Sequence, residues 1–412
     1  MGYYILYGER VLLEKCSEIA YLEGLSYPSL IKYMGSKSKI MDFVLEGINE
    51  VYRGGTICDI FSGSASLAGA LGQQCPVHSN DIQNYSSILA NTYNQAYSVE
   101  DMPSSDQLIE EVSLIVELNR KTLDLNISYC NSLTLEEFNL YEKLQQKLIE
   151  RQFKRNWHLF VKNYSGTWWS AEQCLWIDAF REVSERYKTK PYFSVILSSL
   201  MFAMAYSSQG TGHYAQYRDA KTNSSLADIL IYRKRSLVNY FERKYNELKN
   251  LIPTKKPLHE HIATSLNFKD CLDKYKSDLV YADPPYCFVH YSRFYHALET
   301  LVLYDYPNLQ IQKGKVVKGR YRELRHQSPF CIKTKTKIAF EELFQCVEKN
   351  QSNLVLSYSN TGMVSIEEVE EIAIRIFKKR RIEILTTDHR HMTLGRKNDR
   401  HRDVKECLLL VS

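Results

Sequence analysis

The feature that most constrains the fold is a short segment whose pattern predicts one βαβ unit. An apolar run at 56–61 (TICDIF) predicts a buried strand, and the Ser62-Gly63-Ser64-Ala65 turn leads into a helix of small residues. A second strand at 77–82 (VHSNDI) ends in Asn80-Asp81. Strand, glycine turn, helix and a strand that ends in an acid are typical of nucleotide-binding parallel sheets. Because GxGxxG and a Walker lysine are missing here, the turn favours a nucleoside-sized ligand over a pyrophosphate.

The sheet pattern resumes late in the chain. Further strands are predicted at 265–270, 278–286, 353–360, 381–387 and 405–412. Between about 97 and 262, acidic helix-prone segments alternate with basic aromatic ones, which predicts a large, mainly helical insertion. We therefore expect an α/β fold with a Rossmann-like sheet built from 1–96 and 263–412, a basic loop at 305–337, and an inserted region at 97–262.

A four-residue motif, Asp283-Pro284-Pro285-Tyr286, follows the apolar strand at 278–286. It therefore falls at the carboxyl end of a strand, where such sheets bind ligands. Two prolines fix φ twice and leave no backbone N–H, so the carbonyls can point outward. A carboxylate beside a rigid carbonyl offers two acceptors for an exocyclic NH₂ group, and Tyr286 offers a flat face. The alternative is a plain proline turn.

Composition narrows the class of protein. The 412 residues carry a formal charge of +5, so a polyanion site must come from local clusters. Ten cysteines lie at least 15 residues apart without a CxxC, which favours reduced thiols and no metal site. The start, MGYYILYGER, has no signal-peptide pattern, and the apolar stretch 193–206 is too short to span a membrane. We expect a cytoplasmic protein.

Separated motifs resemble the alpha group of amino-adenine (N6) DNA methyltransferases, the Dam-like family. The segment 32–37 (KYMGSK) resembles its KWxGGK motif, 59–65 its (D/E)xFxGxG loop, and Asn80-Asp81 its acidic ribose-binding motif. The DPPY motif, the strand around 356–360 (LSYSN) and the tail from Arg396 through Arg402 to Glu406 follow in the family's order. Ser36 and Ala65 replace family glycines. Because Ala tolerates a positive φ poorly, either φ is negative at Ala65 or the loop is shifted.

The resemblance implies S-adenosylmethionine as the cofactor, held in a methyltransferase version of the sheet. Lys37 would lie near the carboxylate of the cofactor and Asp81 near its ribose. The implied cofactor-binding residues are Tyr33, Lys37, Asp59, Phe61, Gly63, Asp81, Phe268, Asp270 and Asp283.

The resemblance also implies the reaction, which is site-specific methyl transfer to the N6 amine of an adenine flipped out of DNA. Its catalytic residues would be Asp283, Pro284, Pro285 and Tyr286, without a metal or a covalent intermediate. An RNA amino-group methyltransferase and a non-catalytic DNA-binding module with a vestigial site are the alternatives. A protein-glutamine methyltransferase fits less well, because that class resembles NPPY.

Double-stranded DNA is the expected partner, and the insertion would be its recognition domain. Basic runs at 231–244 (five Lys/Arg, one acid) and 313–337 (nine Lys/Arg, one acid) can contact phosphates, or can be solvated faces and loops. The segment 210–218 can reach base edges, and 290–293 can form a lid. The residues expected to bind DNA are Lys154, Arg155, Gln216, Arg218, Arg293, Lys315, Lys318 and Arg320. The resemblance also implies a prokaryotic or phage-encoded protein that is associated with the nucleoid. Whether a restriction enzyme or another defence system accompanies the protein is left open.

Overall fold

The computed structural model describes residues 29–72, 74–95, 99–123, 125, 127–210, 212–251, 259–285, 288, 290–392 and 401–412, with the side chains of 251, 388–392 and 401–404 left out of the description. In these ranges the chain has an α/β architecture with a central twisted sheet and helices on both sides.

The central sheet contains seven strands in the order β3-β2-β1-β4-β7-β9-β8. The first five in that order are parallel, and the last two form an antiparallel hairpin at one edge. The strands are β1 (Ile57–Asp59), β2 (Val77–Asn80), β3 (Ile262–Thr264), β4 (Leu279–Ala282), β7 (Asn353–Ser359), β8 (Ile382–Met392) and β9 (His401–Val411). A separate small hairpin pairs β5 (Ile311–Gln312) with β6 (Lys315–Val316) inside the predicted basic loop.

Helices cover the sheet and fill the region between β2 and β3. Those outside this region are α1 (Met41–Val51), α2 (Ser66–Leu71), α11 (Phe268–Lys274), α12 (Tyr291–Phe294), α13 (His296–Leu303), α14 (Thr336–Asn350) and α15 (Ile366–Phe377). Those between the two strands are α3 (Asn84–Asn94), α4 (Ser105–Leu123), α5 (Leu135–Gln146), α6 (Leu159–Tyr164), α7 (Ala171–Glu185), α8 (Phe193–Ser207), α9 (Asn223–Arg233) and α10 (Leu237–Leu251).

One predicted strand is wrong. The segment 265–270 is a loop that runs into α11, and the sheet strand lies just before it at Ile262–Thr264. The side chain of Asn267 caps α11 by accepting a hydrogen bond from the backbone N–H of Lys269 at 3.0 Å. Asn is a preferred N-cap residue, so the Asn-Phe-Lys-Asp sequence begins a helix. The other predicted strands are confirmed with small changes at their ends.

The helical region shares its core with the rest of the protein. One buried cluster joins Tyr85 and Leu89 of α3 to Val112 of α4, Phe241 of α10 and Leu298 of α13. The helix α8, which was predicted as a buried apolar helix, lies inside this cluster. In the described part of the chain no helix combines the length and apolarity that crossing a membrane requires. The helices around α8 therefore share one buried cluster with α2 and α13, which lie outside the region between β2 and β3.

The parallel strands place their carboxyl ends at one edge of the sheet. β1 pairs with β2 on one side and with β4 on the other, so the chain turns in opposite directions from this central strand. In doubly wound sheets the crevice at such a switch point is the ligand site. Asp59 ends β1, Asn80 ends β2, and Asp283 directly follows β4, so all three fall at this crevice.

The turn between β1 and α2 keeps a left-handed residue although its glycine is replaced. Ala65 has φ +57° and ψ +29°, and its side chain is fully buried. Of the two alternatives that the sequence left open, a negative φ at Ala65 is therefore wrong. A non-glycine residue pays about 1–2 kcal/mol for this conformation, which indicates that the rest of the turn over-determines it.

Ala65→Gly is expected to change the free energy of unfolding by less than about 1 kcal/mol. Relief of the left-handed strain, about 1–2 kcal/mol, is offset by loss of one buried methyl, about 0.8 kcal/mol, and by the larger entropy of glycine in the unfolded chain, about 0.4–1 kcal/mol. Ala65→Val is expected to lower it by about 2–4 kcal/mol, because a β-branched residue is strained there and overpacks the core. Urea unfolding measures the free energy of unfolding of both variants. A valine variant as stable as the original chain would contradict the left-handed geometry.

Candidate active site

A deep cavity lies at the carboxyl ends of β1, β2 and β4. Its volume is about 590 Å³, within the usual range for small-molecule sites. The cavity brings together most of the residues that the sequence singled out. These are Tyr33, Lys37, Asp59, Phe61, Gly63, Asp81, Phe268, Asp283, Pro284 and Pro285.

Two of the predicted site residues are not among them. Asp270 is exposed in the first turn of α11 and is not one of the residues that line the cavity, so its predicted contact with the cofactor has no support here. Tyr286 lies outside the described residues. Its predicted role as a stacking face for the target base stays a prediction.

Lys37 forms the central ion pair of the site. Its Nζ lies 3.4 Å from Oδ1 of Asp283 and 3.1 Å from Oε2 of Glu406, which sits on β9 at the other end of the chain. Lys37 and Glu406 are 7% and 1% exposed. Burial by itself would lower the pKa of Lys37, but the charges of Asp283 and Glu406 outweigh it and raise the pKa above its ordinary value. Lys37 therefore stays protonated and holds Asp283 in place at the end of β4.

Asp59 is a buried carboxylate without enough partners. It is 2% exposed, and its Oδ1 has no hydrogen-bond partner among the described residues. Burial raises the pKa of Asp59 well above its usual value, and the neighbouring charges of Asp283 and Asp81 raise it further. A buried carboxyl group left this way costs free energy unless a ligand supplies a donor or a positive charge. Asp59 therefore marks a place where a ligand can bind.

Asp81 fixes the glycine turn and still faces the cavity. Its Oδ2 accepts the backbone N–H of Gly63 at 3.0 Å, and its Oδ1 accepts that of Gln83 at 2.9 Å. Burial raises the pKa of Asp81 to about 6, although these two hydrogen bonds oppose the shift. The neighbouring Asn80 is different, because its side chain bonds Ile60, Leu266 and Thr264 and ties the strand ends together. Of the predicted pair, Asp81 faces the ligand space and Asn80 is structural.

The cavity is short of positive charge. Asp59, Asp81 and Asp283 line it, while Lys37 is the only lysine or arginine among the described residues that do so. Lys37 also serves Glu406, a fourth carboxylate behind the cavity wall. Because unpaired buried charges are costly, this arrangement favours a ligand that carries positive charge.

Aromatic rings form two further walls. Phe61 and Phe268 lie with ring centroids 5.9 Å apart, and both pack against Phe330. This apolar wall suits one face of a planar ring. On the opposite side Tyr33 stacks on Tyr295, with centroids 4.5 Å apart and an interplanar angle of 15°.

Gly63 lets Tyr33 approach the turn. Gly63 has φ +49°, and a Cβ at this position would lie only 3.0 Å from the hydroxyl oxygen of Tyr33. The hydroxyl of Tyr295 accepts the backbone N–H of Met34 at 2.7 Å, and the hydroxyl of Tyr291 donates to the carbonyl of Met34 at 3.3 Å. The segment that follows the DPPY motif thus holds the amino-terminal motif in register with the cavity.

Sequence reasoning missed several of these roles. Glu406 was noted as part of a tail motif, without its ion pair to Lys37. The ring stack on Tyr33 joins positions more than 250 residues apart, and no local signal predicts it. The proposed lid is partly supported, because His290, Tyr291 and Ser292 line the cavity. Arg293 is exposed and is not one of the lining residues.

Three side chains of the kind that bind metals converge behind the cavity wall. The ligand atoms of Cys58, His78 and Cys271 lie within 4.8 Å of one another, and all three residues are buried. His78 Nε2 is already engaged with the hydroxyl of Thr264 at 2.8 Å, and that hydroxyl donates to Asn80 at 2.7 Å. A hydrogen-bonded core accounts for this cluster, and the expectation that the protein needs no metal stays a prediction.

The predicted DNA-binding residues differ in how available their charges are. Arg155, Arg218 and Lys318 pair with Glu182 (2.6 Å), Asp228 (3.7 Å) and Asp219 (2.5 Å) respectively. Arg320 is only 9% exposed. The exposed members of the set that take part in none of these ion pairs are Lys154, Gln216, Arg293 and Lys315. The structure does not test DNA contact, so these roles stay predictions.

Curated relatives of this chain are bacterial modification methylases. The chain is 24% identical to modification methylase LlaI of Lactococcus lactis subsp. lactis over 372 residues, which cover 87% of this chain and 51% of the relative. It is 24% identical to type II methyltransferase M.FokI of Planomicrobium okeanokoites over 357 residues, which cover 83% of this chain and 46% of the relative. The chain thus spans about half the length of these two proteins.

A third relative has nearly the same length as this chain. It is type II methyltransferase M2.HphI of Haemophilus parahaemolyticus, 24% identical over 398 residues, which cover 93% of this chain and 98% of the relative. The sequence model of one family, the D12 class N6 adenine-specific DNA methyltransferases, matches residues 33–372. This match begins at Tyr33 and includes the glycine turn, Asp81 and the DPPY motif. The chain therefore belongs to the D12 class of N6 adenine-specific DNA methyltransferases.

Proposed function

We propose that this protein transfers a methyl group from S-adenosylmethionine to the N6 amine of an adenine flipped out of duplex DNA. The observation that carries the proposal is the position of Asp283, which follows β4 at the edge of a 590 Å³ cavity and is held by Lys37 at 3.4 Å. A carboxylate fixed at this place can accept a hydrogen bond from an exocyclic amine. A modification role beside a restriction enzyme is part of the proposal, and the relatives support it.

The cofactor fits the electrostatics of the cavity. S-adenosylmethionine carries a sulfonium and an ammonium group against one carboxylate, so its net charge is positive, and the cavity has three carboxylates against one lysine. The Oδ1 of Asp59, which has no partner among the described residues, can accept a hydrogen bond from an N–H group of the cofactor. The carboxylate oxygens of Asp81 each accept one backbone N–H and keep a lone pair that can accept a ribose hydroxyl. Phe61 and Phe268 offer an apolar wall for the adenine ring. When bound, the cofactor supplies a methyl group activated by the positive sulfur.

The residues of this chain would position the amine and exclude water. The lone pair of an adenine N6 is delocalised into the ring. Hydrogen bonds from N6 to the Asp283 carboxylate and to the Pro284 carbonyl would localise that lone pair and stabilise the charge that develops on nitrogen. Lys37 acts on this step as a positioning residue, since it fixes Asp283 and is itself fixed by Glu406. Flipping is required because a duplex buries N6 within its stack.

Asp283→Asn is expected to lower the rate of methyl transfer by about 10²–10³-fold, the usual loss for one transition-state contact. The amide keeps the shape of the side chain but loses its charge, and Asp283→Ala should abolish transfer. Tritiated cofactor and duplex DNA of mixed sequence measure the rate, and calorimetry measures cofactor binding. Asp273→Asn, which alters an exposed carboxylate paired with Lys349, is the matched control and should be silent. Full activity of Asp283→Ala would refute the proposed chemistry.

Cofactor affinity is expected to fall as the pH drops below about 6. The pKa of Asp81 is raised to about 6 by burial, and the form that accepts the ribose hydroxyls is the ionised one. Protonation below that pH removes the acceptor and the negative charge, so binding is strongest above pH 7. Asp81→Asn should bind weakly at every pH and lose most of this dependence. Calorimetric titrations between pH 5 and 8 measure the cofactor affinity of both proteins. If Asp81→Asn keeps the original affinity, Asp81 only stabilises the turn and does not bind the cofactor.

The identity of the acceptor is tested separately. Equal amounts of duplex DNA and structured RNA are incubated with the protein and labelled cofactor, and the products are digested to nucleosides. N6-methyladenine from DNA supports the proposal. Transfer to RNA alone would favour the alternative that the sequence left open, and binding without transfer to either would favour a vestigial site.

A further inference from the structure

A cationic cluster lies at the start of α10, outside the cavity. The guanidinium of Arg235 is 4.4 Å from the ring centre of Tyr232 and 5.9 Å from that of Tyr240. The guanidinium of Arg243 is 5.2 Å from the same Tyr240 ring and 5.9 Å from that of Tyr206. Both arginines therefore lie close to the ring of Tyr240.

A third cation extends the cluster toward the cavity. Lys32 Nζ lies 4.0 Å above the ring of Tyr206, and burial and the charge of Arg235 together lower the pKa of Lys32. Lys32 precedes Tyr33, which lines the cavity. The guanidinium of Arg218 lies 5.6 Å from the centre of the Tyr232 ring. Arg218 belongs to the segment 210–218, which the sequence analysis predicted to reach base edges. Lys32, Arg235 and Arg243, called the ridge below, are thus connected to the cavity through the adjacent residues Lys32 and Tyr33.

The cations of this cluster have no carboxylate partner among the described residues, although the guanidinium of Arg235 donates a hydrogen bond to the backbone carbonyl of Tyr206 at 2.6 Å. Among the described residues, no carboxylate lies within ion-pair distance of Lys32, Arg235 or Arg243. Their neighbours Arg218 and Lys318 do have such partners, at 3.7 and 2.5 Å. Holding like charges together is unfavourable unless an anion is bound between or beside them. Lys32, Arg235 and Arg243 are therefore available to a polyanion, whereas the neighbouring Arg218 and Lys318 are already paired. Arg235 and Arg243 belong to the basic run 231–244 that the sequence predicted to contact phosphates.

The space beside the two arginines suits a phosphate group. A shallow cavity of about 360 Å³ is lined by Arg235, Ser236, Asn239, Tyr240 and Arg243. It lies at the amino end of α10, a helix of 15 residues, where the macrodipole favours an anion. The hydroxyl of Ser236 accepts the backbone N–H of Asn239 at 3.2 Å and donates to the side-chain oxygen of Asn239 at 3.0 Å, so the exposed Asn239 side chain is held at this helix end.

We propose that Arg235 and Arg243, with Lys32 beside them, bind a phosphate of the DNA backbone and hold the duplex against the mouth of the cavity. The proposal rests on the proposed function. Cations already occupy ring faces of Tyr206 and Tyr240, so this surface is built for a phosphate and not for stacking a base. Planar guanidinium groups also suit phosphate better than a point charge does.

The test measures how duplex binding depends on salt. Arg235→Gln/Arg243→Gln should weaken duplex binding and reduce the slope of log affinity against log salt by about 0.9 for each phosphate that the variant no longer binds. Arg243→Gln alone should also weaken duplex binding and reduce the slope, and it should leave folding intact because Arg243 is exposed. Fluorescence anisotropy of a labelled duplex between 50 and 200 mM salt gives the slope. Cofactor affinity should not change.

The matched control is Lys349→Gln/Arg375→Gln, which removes two exposed cations that pair with Asp273 and Glu341 on distant helices. A slope equal to that of this control would overturn the phosphate site while leaving the proposed function intact, provided that the original protein still methylates duplex DNA. If the original protein neither binds nor methylates duplex DNA, both proposals fail. Duplex RNA as a competitor shows whether the site distinguishes the two polyanions.

Discussion

The arrangement of the site depends on two ion pairs that share Lys37, one with Asp283 and one with Glu406. Lys37 and Glu406 are separated by 369 positions and meet at 3.1 Å. Removing one member of a buried pair leaves an uncompensated charge and typically costs about 3–5 kcal/mol. The amino-terminal motif, the residue after β4 and the final strand must therefore be in place together. The geometry of the catalytic edge is consequently a property of the whole sheet.

The same constraint explains why the cavity favours a positively charged cofactor. One lysine cannot neutralise Asp59, Asp81, Asp283 and Glu406 together, and burial keeps water from doing so. Burial raises the pKa of both Asp59 and Asp81, and the charges of Asp283 and Asp81 raise the pKa of Asp59 further. A cationic ligand relieves the carboxylates when it binds, so the cofactor would stabilise the protein as well as react in it. Without a ligand, the groups that recognise the cofactor would destabilise the site.

Much of this fold follows from local patterns in the sequence, because short apolar runs, glycine turns and strand-end acids are local. The βαβ unit at 56–82, the buried helix α8 and the position of Asp283 were all predicted. The failure at 265–270 (SLNFKD) has a local cause too, since the alternation of Leu266 and Phe268 with polar residues is typical of a strand, while Asn267 is also a preferred helix cap. The Lys37–Glu406 pair and the stack of Tyr33 on Tyr295 are different. They join distant parts of the chain through tertiary packing, and no spacing in the sequence specifies them.

Charge is also what separates the two ligands in space. The cavity is lined by carboxylates and attracts a small cation, whereas the ridge of Lys32, Arg235 and Arg243 is cationic and attracts a polyanion. A duplex placed on the ridge would be repelled from the cavity itself, except for a base that is neutral and small enough to enter it. Lys32 and Tyr33 are adjacent in the chain yet belong to the two different surfaces. The junction between these surfaces is therefore the place where an extruded base would pass from the backbone-binding ridge to the Asp283 carboxylate.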